Sequence, residues 1–350
     1  MADFAVRATI VTSLGDPTAA TCVTRGRKGC PPASWAGTKP VGQDVFSRRR
    51  SLNTLAARVA GIGAGCSSTL LAQSRQILQP VFSLGGAKLV TRMDLGGGFA
   101  ADAQGTFTPF VFPVAVAAFL NDVYIADAGK SRLYRLNRNF DAMIAMPDVR
   151  VGPTTRLQTG PDGSIYVLNT QASETRRYAR GGQAQPSLRP RLASSRYTDF
   201  TVDAASGKGY AIDSAHLVVD EIHALGLLST DAHQVPGSGP ITANGRSLFI
   251  ASAGCACVTE WTRGRLGRRF GAGKLHQPRS IAIVDQNLYG LSGFDRSIAR
   301  AHEKGVESFL PGAMGLLMPE SLASSGGLLY VADGAGRKLS AFRPKPGKSL

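Results

Sequence analysis

The sequence Gly327-Leu328-Leu329-Tyr330-Val331-Ala332-Asp333, near the C-terminus, has a close copy in Asn121-Asp122-Val123-Tyr124-Ile125-Ala126-Asp127. Each stretch joins turn residues to an aromatic residue, small or β-branched apolar residues and a final acid. Weaker copies of the same pattern lie between the two, which makes six in all. The aromatic residues that mark the copies are Tyr124, Tyr166, Tyr210, Phe249, Tyr289 and Tyr330.

These aromatic residues are spaced 39 to 44 residues apart. An even period near 40, built from strand-like units, is typical of a β-propeller rather than a helical solenoid. In the fifth copy, candidate strands at 281–283, 288–291, 297–300 and 307–310 predict four strands per repeat. We therefore predict an all-β, six-bladed β-propeller over residues 79–350, with its repeats at about 113–343.

The last repeat lacks a fourth strand, because the chain after Phe342 continues into Pro344, Pro346 and charged residues. Two surplus candidate strands, 81–84 and 88–95, precede the first repeat. An open strand edge invites aggregation, and propellers protect their edges. We expect an N-terminal strand to close the last blade.

The repeats resemble the NHL family, whose blade opens with Pro, continues into Leu/Ile-Tyr-Val-Ala-Asp and ends with an Arg-bearing strand. Copies at 319–342, 113–136 and 278–300 fit this pattern well. The second to fourth copies lack the opening Pro in register, and the fourth has Phe249 and Ser252 in place of Tyr and Asp. The resemblance implies the fold and leaves the function open, because propellers host many activities.

The chain is strongly basic, with 40 Lys and Arg against 24 Asp and Glu in 350 residues, a formal charge of +16. This charge permits nucleic acid, anionic lipid or an acidic partner. Part of it lies before residue 76, outside the repeats. Nucleic acid is therefore disfavoured as a partner, although some NHL propellers bind RNA through a basic face.

Residues 1–78 are predicted to form a disordered extension with a signal-like segment at 47–72. Arg48, Arg49 and Arg50 precede a weakly apolar run, and small residues lead to Cys66, as in bacterial lipoprotein and twin-arginine export signals. Arg58 interrupts the run, so an arm with a chance Gly-Cys pair is the alternative. The segment predicts a periplasmic or outer-envelope protein, with Cys66 as the lipidation candidate and membrane anchorage through that lipid. Without a working signal the protein would be cytoplasmic.

Residues just after the opening Pro should reach the central tunnel, where the innermost strands begin. In register these are Val114, Thr155, Thr198, Gly239, Arg279 and Glu320. We take Thr155, Thr198, Arg279 and Glu320 as candidate ligand residues, with an Arg279–Glu320 ion pair between adjacent blades as the purely structural interpretation.

The same ring contains one carboxylate and no histidine, whereas NHL-type lyases carry several tunnel histidines for a metal. We therefore expect no metal, no cofactor and no catalytic residue. Asp127, Asp213 and Asp333 are predicted to accept backbone hydrogen bonds in turns. Arg132, Arg296 and Arg337 are predicted to be solvated or paired with those acids.

Cys255 and Cys257 lie two residues apart in the loop of the fourth repeat. Two such thiols can form a disulfide, bind a soft metal or have no role beyond the loop itself. Oxidation is favoured over ligation in an exported protein.

Three functions remain open from the sequence. The first is a non-enzymatic scaffold of the cell envelope that engages a protein or an envelope polymer through its loops and tunnel. The second is a propeller lactonase or lyase, which would need a tunnel metal. The third is RNA binding through a basic face.

Overall fold

The computed structural model describes residues 78–90, 105–137, 139–188, 192–222, 228–234, 237–262 and 264–345. All of them belong to the second of two units into which the chain divides, residues 69–350. The signal-like segment and Cys66 therefore lie outside the described residues. In the described part, no helix is long and apolar enough to cross a membrane.

Strands are the main secondary structure of the described chain. They are β1 (Leu78–Leu84), β2 (Gly86–Leu89), β3 (Thr106–Pro109), β4 (Pro113–Phe119), β5 (Asp122–Asp127), β6 (Arg132–Leu136), β7 (Ala142–Ala145), β8 (Thr155–Thr159), β9 (Ile165–Asn169), β10 (Glu174–Tyr178), β11 (Ala184–Leu188), β12 (Tyr197–Val202), β13 (Gly209–Asp213), β14 (Val218–Ile222), β15 (Leu228–Gln234), β16 (Ile241–Asn244), β17 (Ser247–Ser252), β18 (Cys257–Thr262), β19 (Arg265–Phe270), β20 (Pro278–Val284), β21 (Asn287–Ser292), β22 (Ile298–His302), β23 (Gly305–Phe309), β24 (Pro319–Ser325), β25 (Leu328–Asp333) and β26 (Lys338–Pro344). A short 3-10 helix, Pro311–Met314, precedes β24.

These strands form six sheets in chain order. Blade one is β4–β7 with β2 and β3 added outside, blades two to five are β8–β11, β12–β15, β16–β19 and β20–β23, and blade six is β24–β26 with β1. The innermost strands contact one another in the order β4, β8, β12, β16, β20, β24, and β24 returns to β4. The ring is closed, and the prediction of a six-bladed propeller is confirmed.

Closure depends on β1, which pairs antiparallel with β26 from Leu78 opposite Pro344 to Leu84 opposite Leu339. The predicted closing role of an N-terminal strand is therefore confirmed. The second surplus strand has a different partner. β2 pairs parallel with β7 of blade one, and the predicted continuation to residue 95 lies outside the described residues.

The core lies between the blades, because alternate side chains of each innermost strand face opposite neighbours. Val116 and Ala118 of β4 share a cluster with Tyr330 of blade six, whereas Ala115 and Ala117 share one with Ile165 of blade two. Small residues suit the crowded centre of the ring. Each large apolar side chain buried here contributes on the order of 2 kcal/mol to stability.

The repeated acid ends the second strand and holds the loops around it. Asp127, Asp213 and Asp333 are fully buried. Their backbone N–H donors are Val111, Phe112 and Gly129 for Asp127, Arg196 and Ala215 for Asp213, and Leu317, Met318 and Gly336 for Asp333. The prediction that these acids are turn-forming acceptors is confirmed.

The loop after each second strand shows that all six repeats share one backbone geometry. Its fourth residue has a left-handed conformation, with φ between 45° and 60°, although none of the six is glycine. These residues are Ser131, Ser173, Leu217, Ala256, Arg296 and Arg337. The degraded middle repeats therefore keep the loop that their sequences obscure.

Candidate ligand site at the tunnel mouth

The innermost strands all begin at one end of the ring, and we call the face at that end the mouth face. It consists of the loops before the innermost strands and the loops between second and third strands. The described residues of these loops are 110–112, 128–131, 146–154, 170–173, 192–196, 214–217, 237–240, 253–256, 271–277, 293–297, 310–318 and 334–337.

The tunnel opens at the second position of each innermost strand. In β4, β12, β20 and β24 a register irregularity follows the first residue, and the extra residues are Val114, Thr198, Arg279 and Glu320. These four positions agree with the register predicted from the sequence.

Blade two differs from the prediction by one residue. Thr155 pairs with Asn169 as Pro113 pairs with Asp127, so Thr155 occupies the Pro position. Its side chain is buried, and its hydroxyl accepts a hydrogen bond from Gly152 N at 2.9 Å. Arg156, half-buried, takes the next position instead. We define the tunnel mouth as Val114, Arg156, Thr198, Asp199, Gly239, Arg279 and Glu320.

Glu320 is held between two arginines of the preceding blade. Its Oε2 lies 2.6 Å from Arg279 Nη2 and 3.1 Å from Arg296 Nη1, and its side chain is only 6% exposed. Arg296 also donates to Pro319 O at 3.3 Å. The predicted Arg279–Glu320 ion pair is present. Arg296 pairs with Glu320 across the blade boundary, and its own repeat has Ser292 at the position of the repeated acid.

Positive charges crowd around Arg279. Burial lowers the pKa of its guanidinium; Glu320 opposes this effect, and the charges of Arg296 and Arg156 add to it. Arg156 belongs to blade two and Arg279 to blade five, which stand opposite each other in a ring of six. The repulsion between these two positive charges disfavours the charged form of Arg279.

Asp199 is the second carboxylate of the tunnel mouth. Its Oδ2 accepts a hydrogen bond from Ile241 N of blade four at 3.0 Å. Burial raises the pKa of Asp199 to about 6, and the opposite charge of Arg156 reduces that effect. This carboxyl group therefore changes its charge near neutral pH.

The remaining positions of the mouth carry no charge. Val114 is buried, and Thr198 donates to Ser238 O at 3.2 Å. Gly239 has no room for a side chain, since a Cβ there would lie 2.4 Å from Ala251 O. Whether Thr198, Arg279 and Glu320 bind a ligand stays a prediction.

Deeper in the tunnel there is a cavity of about 60 Å³. Its polar side chains are Gln158, Thr159, Thr242 and Ser324. The volume suits roughly two water molecules, whereas pockets for organic ligands measure about 300 Å³ or more. This cavity is therefore too small for an organic ligand, which leaves the mouth as the candidate site.

Cys255 and Cys257 form a disulfide in the mouth-face loop of blade four. Two backbone bonds, from Lys274 N and Leu275 N to Ala256 O, join this loop to the connection with blade five. Among the described residues, no three His, Cys, Asp or Glu side chains converge in the way that a metal site requires.

The sequence interpretation missed Arg156 and Arg296 and noted Asp199 only as a neighbour of the ring. The signal for Arg156 was spacing, because Thr155 precedes Asn169 by the same number of residues as Pro113 precedes Asp127. No comparable signal marked Arg296, whose partner lies in the next blade.

No protein-family model matches the chain, and no curated protein matches it. Solved structures share the fold. A catalytically inactive virginiamycin B lyase from Staphylococcus aureus with quinupristin is 12% identical, with a TM-score of 0.52 over 77% of this chain and 98% of that one. A structural genomics protein of unknown function from Bacteroides thetaiotaomicron is also 12% identical, with a TM-score of 0.51 over 75% and 76%. Such low identities establish a common fold alone.

Proposed function

We propose that this propeller is a non-enzymatic binding scaffold of the cell envelope that engages a protein or an envelope polymer through its mouth face. The envelope location rests on the signal-like segment at 47–72, and lipid anchorage on Cys66. Both belong to the proposal. Its structural support comes from the mouth face itself.

The observation that carries the proposal is the apolar character of the mouth-face loops. Six of the ten large hydrophobic side chains exposed in the described part lie there. They are Val111, Leu192, Leu217, Phe294, Leu310 and Leu317. Phe294 is 82% exposed and Leu317 is 70% exposed. Apolar side chains exposed on one face are available for contact with a partner that covers that face.

The tunnel mouth supports binding more readily than chemistry. Glu320, which a reaction would need as a free acid or base, is engaged by Arg279 and Arg296. The cavity beneath it is too small for an organic substrate. A large partner lying over the loops would meet both the apolar side chains and the charged mouth.

Cosedimentation of the purified protein with isolated envelope fragments of the host tests this function. The variant Phe294→Ser/Leu317→Ser should lose most of the binding, because it removes two exposed anchors. The matched control, Leu120→Ser/Leu266→Ser, removes two anchors of 65% and 57% exposure outside the mouth face and should bind normally. Failure of the wild type to sediment, or equal binding by both variants, would refute the scaffold.

A lyase or lactonase is the second candidate, and Asp199 is the observation that favours it. A carboxyl group with a pKa of about 6 beside an arginine has the properties of a general acid or base near neutral pH. The shared fold includes a lyase, although fold alone does not carry an activity. Turnover of a lactone or cyclic depsipeptide that is lost in Asp199→Asn, with binding retained, would favour the enzyme over the scaffold.

A further inference from the structure

We infer that the tunnel mouth binds a compact oxyanion, a carboxylate or phosphate group, through the guanidinium groups of Arg156, Arg279 and Arg296. The inference deepens the proposed function, since it names the chemical group that a partner on the mouth face presents to the tunnel.

The first step is the free guanidinium of Arg156. The side chain is half-buried, and within the described residues it makes no hydrogen bond and no ion pair. The charge of Arg156 lowers the pKa of Asp199 in the neighbouring blade and the pKa of Arg279 in the opposite blade. An arriving anion would give the Arg156 guanidinium a direct partner.

The second step is the unused donor capacity of Arg279. One of its donors, Nη2, binds Glu320, whereas Nε is buried and has no hydrogen-bond partner in the described part of the chain. Guanidinium groups offer planar, paired donors that match the oxygen atoms of carboxylates and phosphates. Arg279 therefore has donor capacity that Glu320 does not use.

The third step is the balance of charge. Three guanidinium groups face two carboxylates, Asp199 and Glu320. Glu320 is shared by two arginines, and Asp199 uses one oxygen for Ile241 N. One positive charge remains when both acids are ionised, and protonation of Asp199 adds a second. The mouth therefore attracts an anion and repels a cation.

The fourth step is space. Arg156 and Arg279 belong to the innermost strands of blades two and five, and Gly239 of blade four contributes no side chain to the mouth. The cavity below holds only water-sized contents. A terminal oxyanion carried by a larger molecule fits this arrangement, with its bulk resting on the loops outside.

Thermal unfolding with inorganic phosphate and with acetate, at an ionic strength kept constant with sodium chloride, tests the inference. Both anions should raise the Tm in a saturable manner, since a ligand of the folded state stabilises it. Phosphate should bind more tightly because it carries more charge. Arg156→Gln should weaken phosphate binding about tenfold or more, which is the usual loss for one charge-assisted hydrogen bond.

Two further variants make the result specific. Arg156→Lys keeps the charge and loses the paired donors, so it should retain part of the affinity. Arg337→Gln removes an exposed arginine of the mouth face outside the tunnel mouth and should leave the affinity unchanged. Equal weakening by Arg156→Gln and Arg337→Gln would show only a diffuse field and would overturn the site. A Tm that follows ionic strength alone would overturn it as well.

The experiment separates this inference from the scaffold. Envelope binding without saturable anion binding would refute the oxyanion site and leave the scaffold standing. Saturable anion binding without envelope binding would support the oxyanion site and refute the scaffold. A response to phosphate alone or to acetate alone supports the site and identifies which oxyanion the partner presents.

Discussion

A single buried carboxylate, Asp127, Asp213 or Asp333, organises the loops of the first, third and sixth repeats. Asp213 accepts backbone hydrogen bonds from two loops, and its Oδ2 lies 2.6 Å from Nδ1 of His216. Burial alone would raise the pKa of Asp213, but the hydrogen bonds from Arg196, Ser195, His216 and Ala215 lower it to about 2. The charged form is therefore the form that stabilises the fold.

Replacing this acid should reveal its contribution. Because the pKa of Asp213 is lower in the folded chain than in the unfolded one, its contribution is complete above about pH 4 and is lost as the pH falls toward 2. Asp213→Asn should reduce the free energy of unfolding by roughly 2 kcal/mol at pH 7, and the difference from wild type should vanish near pH 2. Denaturant titrations at several pH values measure this.

Asp148→Asn is the matched control, because Asp148 is exposed. It should change stability by less than about 0.5 kcal/mol at every pH. If Asp213→Asn had an equally small effect at pH 7, the hydrogen-bonded carboxylate would not hold the loops as argued.

At this scale the sequence predicts roles better than contacts. The Gly and small residues that follow the acid of a repeat predict that the acid lies at a turn. Arg279 and Glu320 each follow the opening Pro of their repeat directly, so the sequence identifies them as residues of the tunnel mouth. Arg156 was missed because Thr155 takes the place of the opening Pro in β8, so no Pro marks the residue that follows it. The pairing of Arg296 depends on how two blades meet, and no local pattern encodes that.

Among the elements, the mouth-face loop of blade four combines the backbone geometry of its equivalents with a disulfide. Its disulfide joins residues two positions apart, and its backbone supports the connection to blade five. Closing so short a loop contributes on the order of 1.5 kcal/mol in the chain-entropy description. The disulfide therefore acts locally.

Its oxidation state is open to a direct measurement. Trypsin should release residues 247–263 as one peptide, which contains Cys255 and Cys257 and none of the other three cysteines. Alkylation of the native protein should leave this peptide unmodified, and alkylation after reduction should add two groups. Two modified thiols without reductant would contradict the disulfide.

Strand order was predictable from the repeat because each copy carries its own turn signals. The added strands of blade one were not. β2 and β3 have no equivalents in other blades, and the parallel pairing of β2 with β7 brings together segments that no motif connects. A strand pattern predicts that a segment is extended. Which strand it pairs with depends on the packing of the whole ring.

For the molecule as a whole, stability depends on closing the ring. β1 supplies the outer strand of blade six, and Phe82 packs against Phe140 at 4.5 Å and near Tyr330. Removal of residues 1–84 should therefore yield unfolded or aggregated protein, because the edge of β26 would be left open. Removal of residues 1–46 should leave the Tm unchanged. Circular dichroism and light scattering measure both, and equal Tm values for the two truncations would contradict the closing role.

The position of β1 in the sequence also determines when it can pair with β26 during synthesis. Its partner β26 lies about 257 residues later in the chain, the separation of the hydrogen-bonded Ser83 and Ser340. At a synthesis rate of about 5–20 residues per second, the ribosome needs roughly ten to fifty seconds to deliver that partner. Throughout this interval the first strand of the propeller is made but has nothing to pair with. A nascent chain that is protected during this interval, by a chaperone or by early pairing of β2 with blade one, reaches the closed ring intact.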